Sequence, residues 1–152
     1  MSMKLRGYME SCNIPASPQA VWQALVDPVL LAQWLATAVT VEPRPGGLYR
    51  FEHAHGGRRE AHIDVFDPPR RLRLIHFAQP DWPAGAEAVP VDDVMVVERN
   101  DGTVVRVLGS GVPGDPAWDP VLRRWRGTWA VGLAALKRML ERPAAGSRTV
   151  PE

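Results

Sequence analysis

Only one cysteine, Cys12, stands in the sequence, which excludes a disulfide framework and any cysteine-built metal site. No apolar run approaches the ~18 residues of a membrane span, and the N-terminus lacks the apolar core of a signal peptide. A soluble, cytoplasmic chain without a membrane partner is therefore expected. Charge of one sign is also lacking. The net charge is +1, and the arginines are scattered or doubled (Arg58-Arg59, Arg70-Arg71, Arg123-Arg124), which reads as solvated surface. Nothing here draws the chain toward nucleic acid, whose binding also wants exposed aromatics interleaved with Lys and Arg.

Proline and glycine are plentiful, 15 and 13, which means many turns, and six tryptophans bring large apolar surfaces that need a partner. At 152 residues the chain is long enough to bury roughly 68–70% of its unfolded surface in one domain. Residues 1–141 are expected to form that domain. Residues 142–152, "RPAAGSRTVPE", show no apolar periodicity and are expected to be a flexible tail.

"YMESCNIPAS" alternates, with Tyr8, Cys12 and Ile14 on one side, and reads as a strand. Two short helices follow, each opened by a capping residue and a proline: Ser17-Pro18 and Asp27-Pro28. Six strands are expected at 37–42, 47–54, 59–67, 71–77, 93–99 and 103–109, separated by the turn signals "PRPGG", "HGG", "DPPR" and "NDG". Such short connections allow only antiparallel neighbours. Residues 78–92 form a Pro- and Ala-rich loop carrying Trp82, and "GSGVPGDPAWDP" reads as a bend. A last helix, 117–141, aligns Leu122, Trp125, Trp129, Leu133, Leu136 and Leu140 at steps of three and four. The pattern predicts an α+β fold: a curved antiparallel sheet of six to seven strands whose concave face is covered by the long C-terminal helix.

The segments "IPASPQAVWQALVDPVLLAQWLA", "VEPRPGGLYRF", "VFDPPRRLRL" and "DGTVVRVLGSG", followed by an inward Trp and "LAALKRMLE", resemble the START-like SRPBCC superfamily. The resemblance is to the branch named for activators of the heat-shock protein 90 ATPase, and runs from about Glu10 to Glu141. It implies a helix-grip fold with a cavity between sheet and helix that often holds an apolar small molecule. It allows a homodimer or a chaperone partner. Gly109 stands where family members often carry a His, and "AHGGRR" replaces a longer, more acidic connection. Functions that depend on either feature do not carry over.

A core built from several tryptophans either packs tightly or frames a pocket. The expected lining is Trp34, Phe51, Phe77, Trp118, Trp125 and Trp129, with Trp82 as a lid. For the hairpin after Phe51, a two-residue loop would set Tyr49 and Phe51 on the face opposite Ile63 and Val65. A three-residue loop, 56–58, puts all four on one face and is preferred. Carried through the "DPPR" turn, this register pairs Ile63 with Leu74 and Ala61 with His76. His53, Ala61 and His76 then form one inward row, with the two imidazoles ~9.6 Å apart and suited to the two ends of a ligand's polar group. His55 and His62 are assigned to solvent or the rim.

His53 and His55 share a strand face, but Glu60 and His62 lie on the other, so no metal site is expected. No Gly-x-Ser-x-Gly elbow occurs, Cys12 has no His partner, and "GSGVPG" lacks the lysine of a phosphate loop. No catalytic residue and no cofactor are assigned. The favoured expectation is a binding module for a hydrophobic small molecule. The alternatives are a cyclase or hydrolase using His76 and His53 on a polyketide-like substrate, and a chaperone-regulating or other protein-interaction module with an apolar patch near Trp82.

Overall fold

The computed structural model describes residues 4–53, 57–80, 82–84 and 87–141, except the side chains of residues 53 and 57. The expected tail lies outside them. Strand β1 (Leu5–Ile14) is followed by α1 (Pro18–Val26) and α2 (Pro28–Trp34). Strands β2 (Ala38–Val41), β3 (Leu48–His53), β4 (Gly57–Asp67), β5 (Arg71–His76), β6 (Val91–Arg99) and β7 (Gly102–Pro113) come next. A 3-10 turn (Pro116–Trp118) leads into α3 (Asp119–Glu141). All neighbours are antiparallel, in the order β1-β7-β6-β5-β4-β3-β2. This is the expected curved sheet with a long C-terminal helix.

The helices start as their caps dictate. Ser17 Oγ accepts from the Ala20 N–H, and the Asp27 carboxylate accepts from the Val29 N–H while Pro28 occupies the first helical position. Helix α3 turns Val121, Trp125, Trp129, Leu133 and Leu136 into the interior, so its tryptophan stripe does face the sheet. Leu122 and Leu140 flank it, partly buried.

Two details differ from the sequence reading. The bend expected at "GSGVPG" is instead the end of β7, which runs on to Pro113 and pairs with Leu5 and Arg6 of β1. With β7 longer, β6 also starts earlier, at Val91, which pairs with both Ile75 and Ser110. Asp92 is thereby a strand residue, not a loop residue.

The second correction concerns register. Phe51 pairs with Arg59, Tyr49 with Ala61 and His53 with Gly57. The last described pair is thus His53 with Gly57, so the strands do not close on 56–58 as expected, and residues 54–56 lie outside the described ones. The shift is an even number of residues, so Tyr49, Phe51, Ala61 and Ile63 keep their common inward face, all buried. Ala61–His76 and Ile63–Leu74 pair as expected, reached through a tighter turn and a bulge between Ile63 and Val65. Past that bulge Phe66 takes the core side and meets Trp22 edge-on at 5.4 Å, displacing Val65 from its expected place.

Candidate functional site

The inward face of β6 reads Asp92, Val94, Val96, and Asp92 is 0% exposed. A carboxylate there needs several donors, and four side chains supply them. Tyr8 donates its hydroxyl to Oδ1 in a very short hydrogen bond. Oδ2 takes the other three: His76 Nε2 at 2.7 Å, Trp129 Nε1 at 3.1 Å and the Arg59 guanidinium at 3.2 Å. These donors come from β1, β5, β4 and α3, so one carboxylate ties the helix to strands across the sheet.

Gly109 explains how Tyr8 arrives. Tyr8 and Asp92 both pair with Gly109 from opposite sides, on β1 and β6. A Cβ at that position would fall 2.2 Å from the Tyr8 ring, so the missing side chain is what lets the phenol lie across β7 and reach Asp92.

Electrostatics follow from this packing. Burial pushes the Asp92 carboxyl up, but the His76 and Arg59 charges and the bonds from His76 and Tyr8 outweigh it and hold it down at about 2. Burial, and then the Asp92 charge, push the Tyr8 phenol well above its ordinary value. The same causes in the same order raise Tyr49, whose hydroxyl donates to the Leu25 carbonyl at 2.7 Å.

Beside Asp92 lies an aromatic cluster centred on Trp125. His76 stacks on it at 5.4 Å between ring centroids, and the Arg59 guanidinium sits 4.5 Å from its centroid. Trp82 meets Trp125 edge-on at 5.9 Å and Trp118 at 5.1 Å. Among the described residues, Nδ1 of His76 and Nε1 of Trp82 are buried in this cluster with no hydrogen-bond partner.

Of the expected lining, Trp82, Trp118, Trp125 and His76 are thus brought together, and all are buried. Trp129 is adjacent, its indole N–H bound to Asp92. Phe51 is buried deeper on β3, edge-on to Tyr49 at 6.1 Å. Trp34 lies apart, its N–H given to the Ala24 carbonyl at 2.8 Å and its ring against Gly132 of α3. Phe77 is a correction: it is 45% exposed and lies 5.5 Å from His62 rather than in the interior. Leu72, Leu74 and His76 take the inward face of β5, so the period of two turns Phe77 outward.

His53 is another. Opposite His76 and Ala61 on β3 stands Tyr49, not His53, so the two histidines are four positions out of line, roughly 13 Å along the strand. The His53 side chain itself, and all of His55, lie outside the described residues. Trp82 itself is only 9% exposed and does not contribute to the apolar patch expected near it, whereas Val89 of the same loop is 64% exposed. Two surface pockets of about 560 Å³ each lie elsewhere, one by the β6–β7 turn and the end of α3, the other between the start of α1 and the β4–β5 turn. None of the expected lining residues borders either.

The residues that sequence reasoning missed are Asp92, Arg59 and Tyr8. Their signal was the period of two: Arg59 is in phase with Ala61 and Ile63, and Asp92 with Val94 and Val96. No helix among the described residues is long and apolar enough to cross a membrane.

Residues 15–141 match the family model described as activator of Hsp90 ATPase homolog 1-like protein. Among solved structures, protein MLL2253 from Mesorhizobium loti superposes with a TM-score of 0.78 at 20% identity, covering 91% of this chain and 99% of that one. The Aha1 dimer from Colwellia psychrerythraea gives 0.74 at 20% identity, covering 90% and 96%. DynU16, a protein of the dynemicin biosynthetic locus, gives 0.71 at 21% identity, with 89% of this chain matching 47% of that one. No curated protein has a sequence that matches this chain.

Proposed function

This chain belongs to the family of activator of Hsp90 ATPase homolog 1-like proteins, and from that premise we propose that it binds a hydrophobic small molecule at the Trp82–Trp118–Trp125 cluster. The observation that carries this reading is the pair of buried, unpartnered polar atoms, Nδ1 of His76 and Nε1 of Trp82, in an otherwise apolar aromatic setting. Unmet buried polar groups cost about 1–3 kcal/mol each, and a few convergent polar atoms within aromatic walls are how small-molecule sites are built. Because Trp125 and Trp129 are fully packed against the sheet, the molecule gains access by displacing Trp82. That side chain is suited to the role, since it sits between β5 and β6 outside any strand or helix. Phe51 and Trp34 support the floor and the helix packing rather than touching the ligand.

Native mass spectrometry of the protein as purified, with a thermal shift screen of flat lipophilic compounds, tests this. A bound small molecule, or a melting temperature that rises by several degrees and no longer rises in Trp82→Ala, is expected. A flat response to the whole screen overturns the reading.

One observation favours a second reading, an enzyme of cyclase or hydrolase type on a polyketide-like substrate: a buried carboxylate backs His76 at 2.7 Å. That arrangement fixes an imidazole for proton transfer. It works through His76 alone, without His53. Turnover abolished by His76→Gln at unchanged melting temperature is the result that distinguishes it from binding.

A further inference from the structure

We infer that the turn from Gln79 to Trp82 opens as one piece, with the Gln79 side chain as its latch, and that this opening admits a small molecule to the Trp82–Trp118–Trp125 cluster. The opening stands on its own geometry, and its use as an entry rests on the small-molecule reading above.

The segment that joins β5 to β6 is pinned at both ends by backbone bonds. The Phe77 N–H donates to the Glu60 carbonyl at 2.9 Å, and the His76 N–H donates to the Pro90 carbonyl at 3.0 Å. Among the described residues from 77 to 89, only Gln79 and Trp82 are buried. They are tied together. The Trp82 N–H donates to the Gln79 carbonyl at 3.0 Å, closing a turn with Pro80 in the second place, where its fixed φ is favoured. One turn thus carries both anchors inward.

The two anchors hold differently. Trp82 sets its indole against Trp118 and Trp125, at 5.1 and 5.9 Å, and its Nε1 has no partner among the described residues. Its seat is held by apolar contact and carries the cost of an unmet donor, which eases its departure into water. Gln79 is fastened instead. Its amide nitrogen donates to the Glu60 carbonyl of β4 at 3.0 Å and also to the Phe77 carbonyl. Both acceptors are carbonyl oxygens, so only the NH2 end of the amide fits there. With the turn closed, moving Trp82 outward pulls Gln79 off both carbonyls. Nothing in the sheet or in α3 has to come apart, which is the mark of a local opening.

Exchange of the indole N–H groups, followed by NMR over a series of urea concentrations, tests the opening without a ligand. Trp129 donates to Asp92 in the core and reports unfolding of the whole. The Trp82 indole N–H should exchange about tenfold faster or more, with a much shallower urea dependence. Gln79→Ala should raise the Trp82 rate about tenfold further at unchanged urea slope, as the loss of both latch bonds requires. Gln79→Glu keeps the size but, ionised, can only accept, and should raise the rate at least as much. A Trp82 rate that moves in step with that of Trp129 in urea, or that neither substitution changes, overturns the gate. Stopped-flow binding of N-phenyl-1-naphthylamine, an uncharged fluorescent probe, reads the entry. In Gln79→Ala the probe should enter and leave about tenfold faster with its dissociation constant unchanged, because a latch fastened before and after binding sets rates alone. Equal rates in the two proteins overturn the turn as the route of entry. If exchange behaves as expected and the probe binds neither protein, the latch stands and the small-molecule reading falls.

Discussion

Asp92 and Asp93 are adjacent on β6, and the alternation of the strand sends one carboxylate into the core and the other to the outer face. Asp93 meets Arg71 in two bonds of 2.8 and 2.9 Å, but both side chains retain contact with water. Exposed pairs of this kind contribute little, so Asp93→Asn should cost about 1 kcal/mol or less. Asp92→Asn removes a fully buried charge that pairs with buried Arg59 and accepts from three further side chains, and should cost about 3–5 kcal/mol. Urea denaturation of the two variants checks this; equal losses would mean that the buried carboxylate does not organise the interior. The sequence reading missed Asp92 because it carried the loop through residue 92 and began the strand at Asp93, so the phase of Asp92 with Val94 and Val96 went unread. Arg59 was misread as half of a solvated pair, although it sits in step with Ala61 and Ile63. Tyr8 was placed on the side of Ile14 correctly, but its purpose depends on Gly109, about a hundred residues away, and no local pattern carries that.

Helices α1, α2 and α3 were legible because their signals are local: a cap, a proline, and a stripe of period 3.6. Strand ends and register were less so, because they are set by partners. β7 continues through "GSGVPG" since β1 and β6 offer it backbone groups there, and the β3–β4 register differs from the expected one by an even step without disturbing which face is apolar. The stripe of α3 also hides a difference between its glycines. At Gly127 an added Cβ meets nothing within 4 Å, whereas at Gly132 it comes 3.1 Å from Leu35 Cδ1 and 3.4 Å from the Trp34 ring. Gly127→Ala should therefore stabilise the protein by about 0.5–1 kcal/mol through helix propensity. Gly132→Ala should gain nothing or lose stability, because α2 must give way. Thermal melts of both variants decide it, and equal gains would show that α2 and α3 are not in contact at that glycine.

At the scale of the whole molecule, the apolar interior between sheet and helices encloses one buried carboxylate and two buried phenols, and these set a pH window for stability. The folded Asp92 carboxyl lies at about 2, below its ordinary value of 3.8, so it remains ionised where the unfolded chain is already binding protons. Its contribution is complete above the unfolded value and is lost as pH falls from there toward about 2. A shift of this size corresponds to stabilisation on the order of 2 kcal/mol. Tyr8 and Tyr49 act at the other end, with folded values above their ordinary 10.0, chiefly from burial and then from the Asp92 charge. What they contribute is complete below the unfolded value and declines as pH climbs past it, because unfolding then releases protons that the folded phenols retain. Urea midpoints measured from about pH 2 to about pH 11 should form a plateau that falls at both ends. Asp92→Asn should flatten the acid fall, and Tyr8→Phe should reduce the alkaline one. An acid fall unchanged in Asp92→Asn would place the acid sensitivity in surface carboxylates and separate the stability of the fold from the buried cluster at its centre.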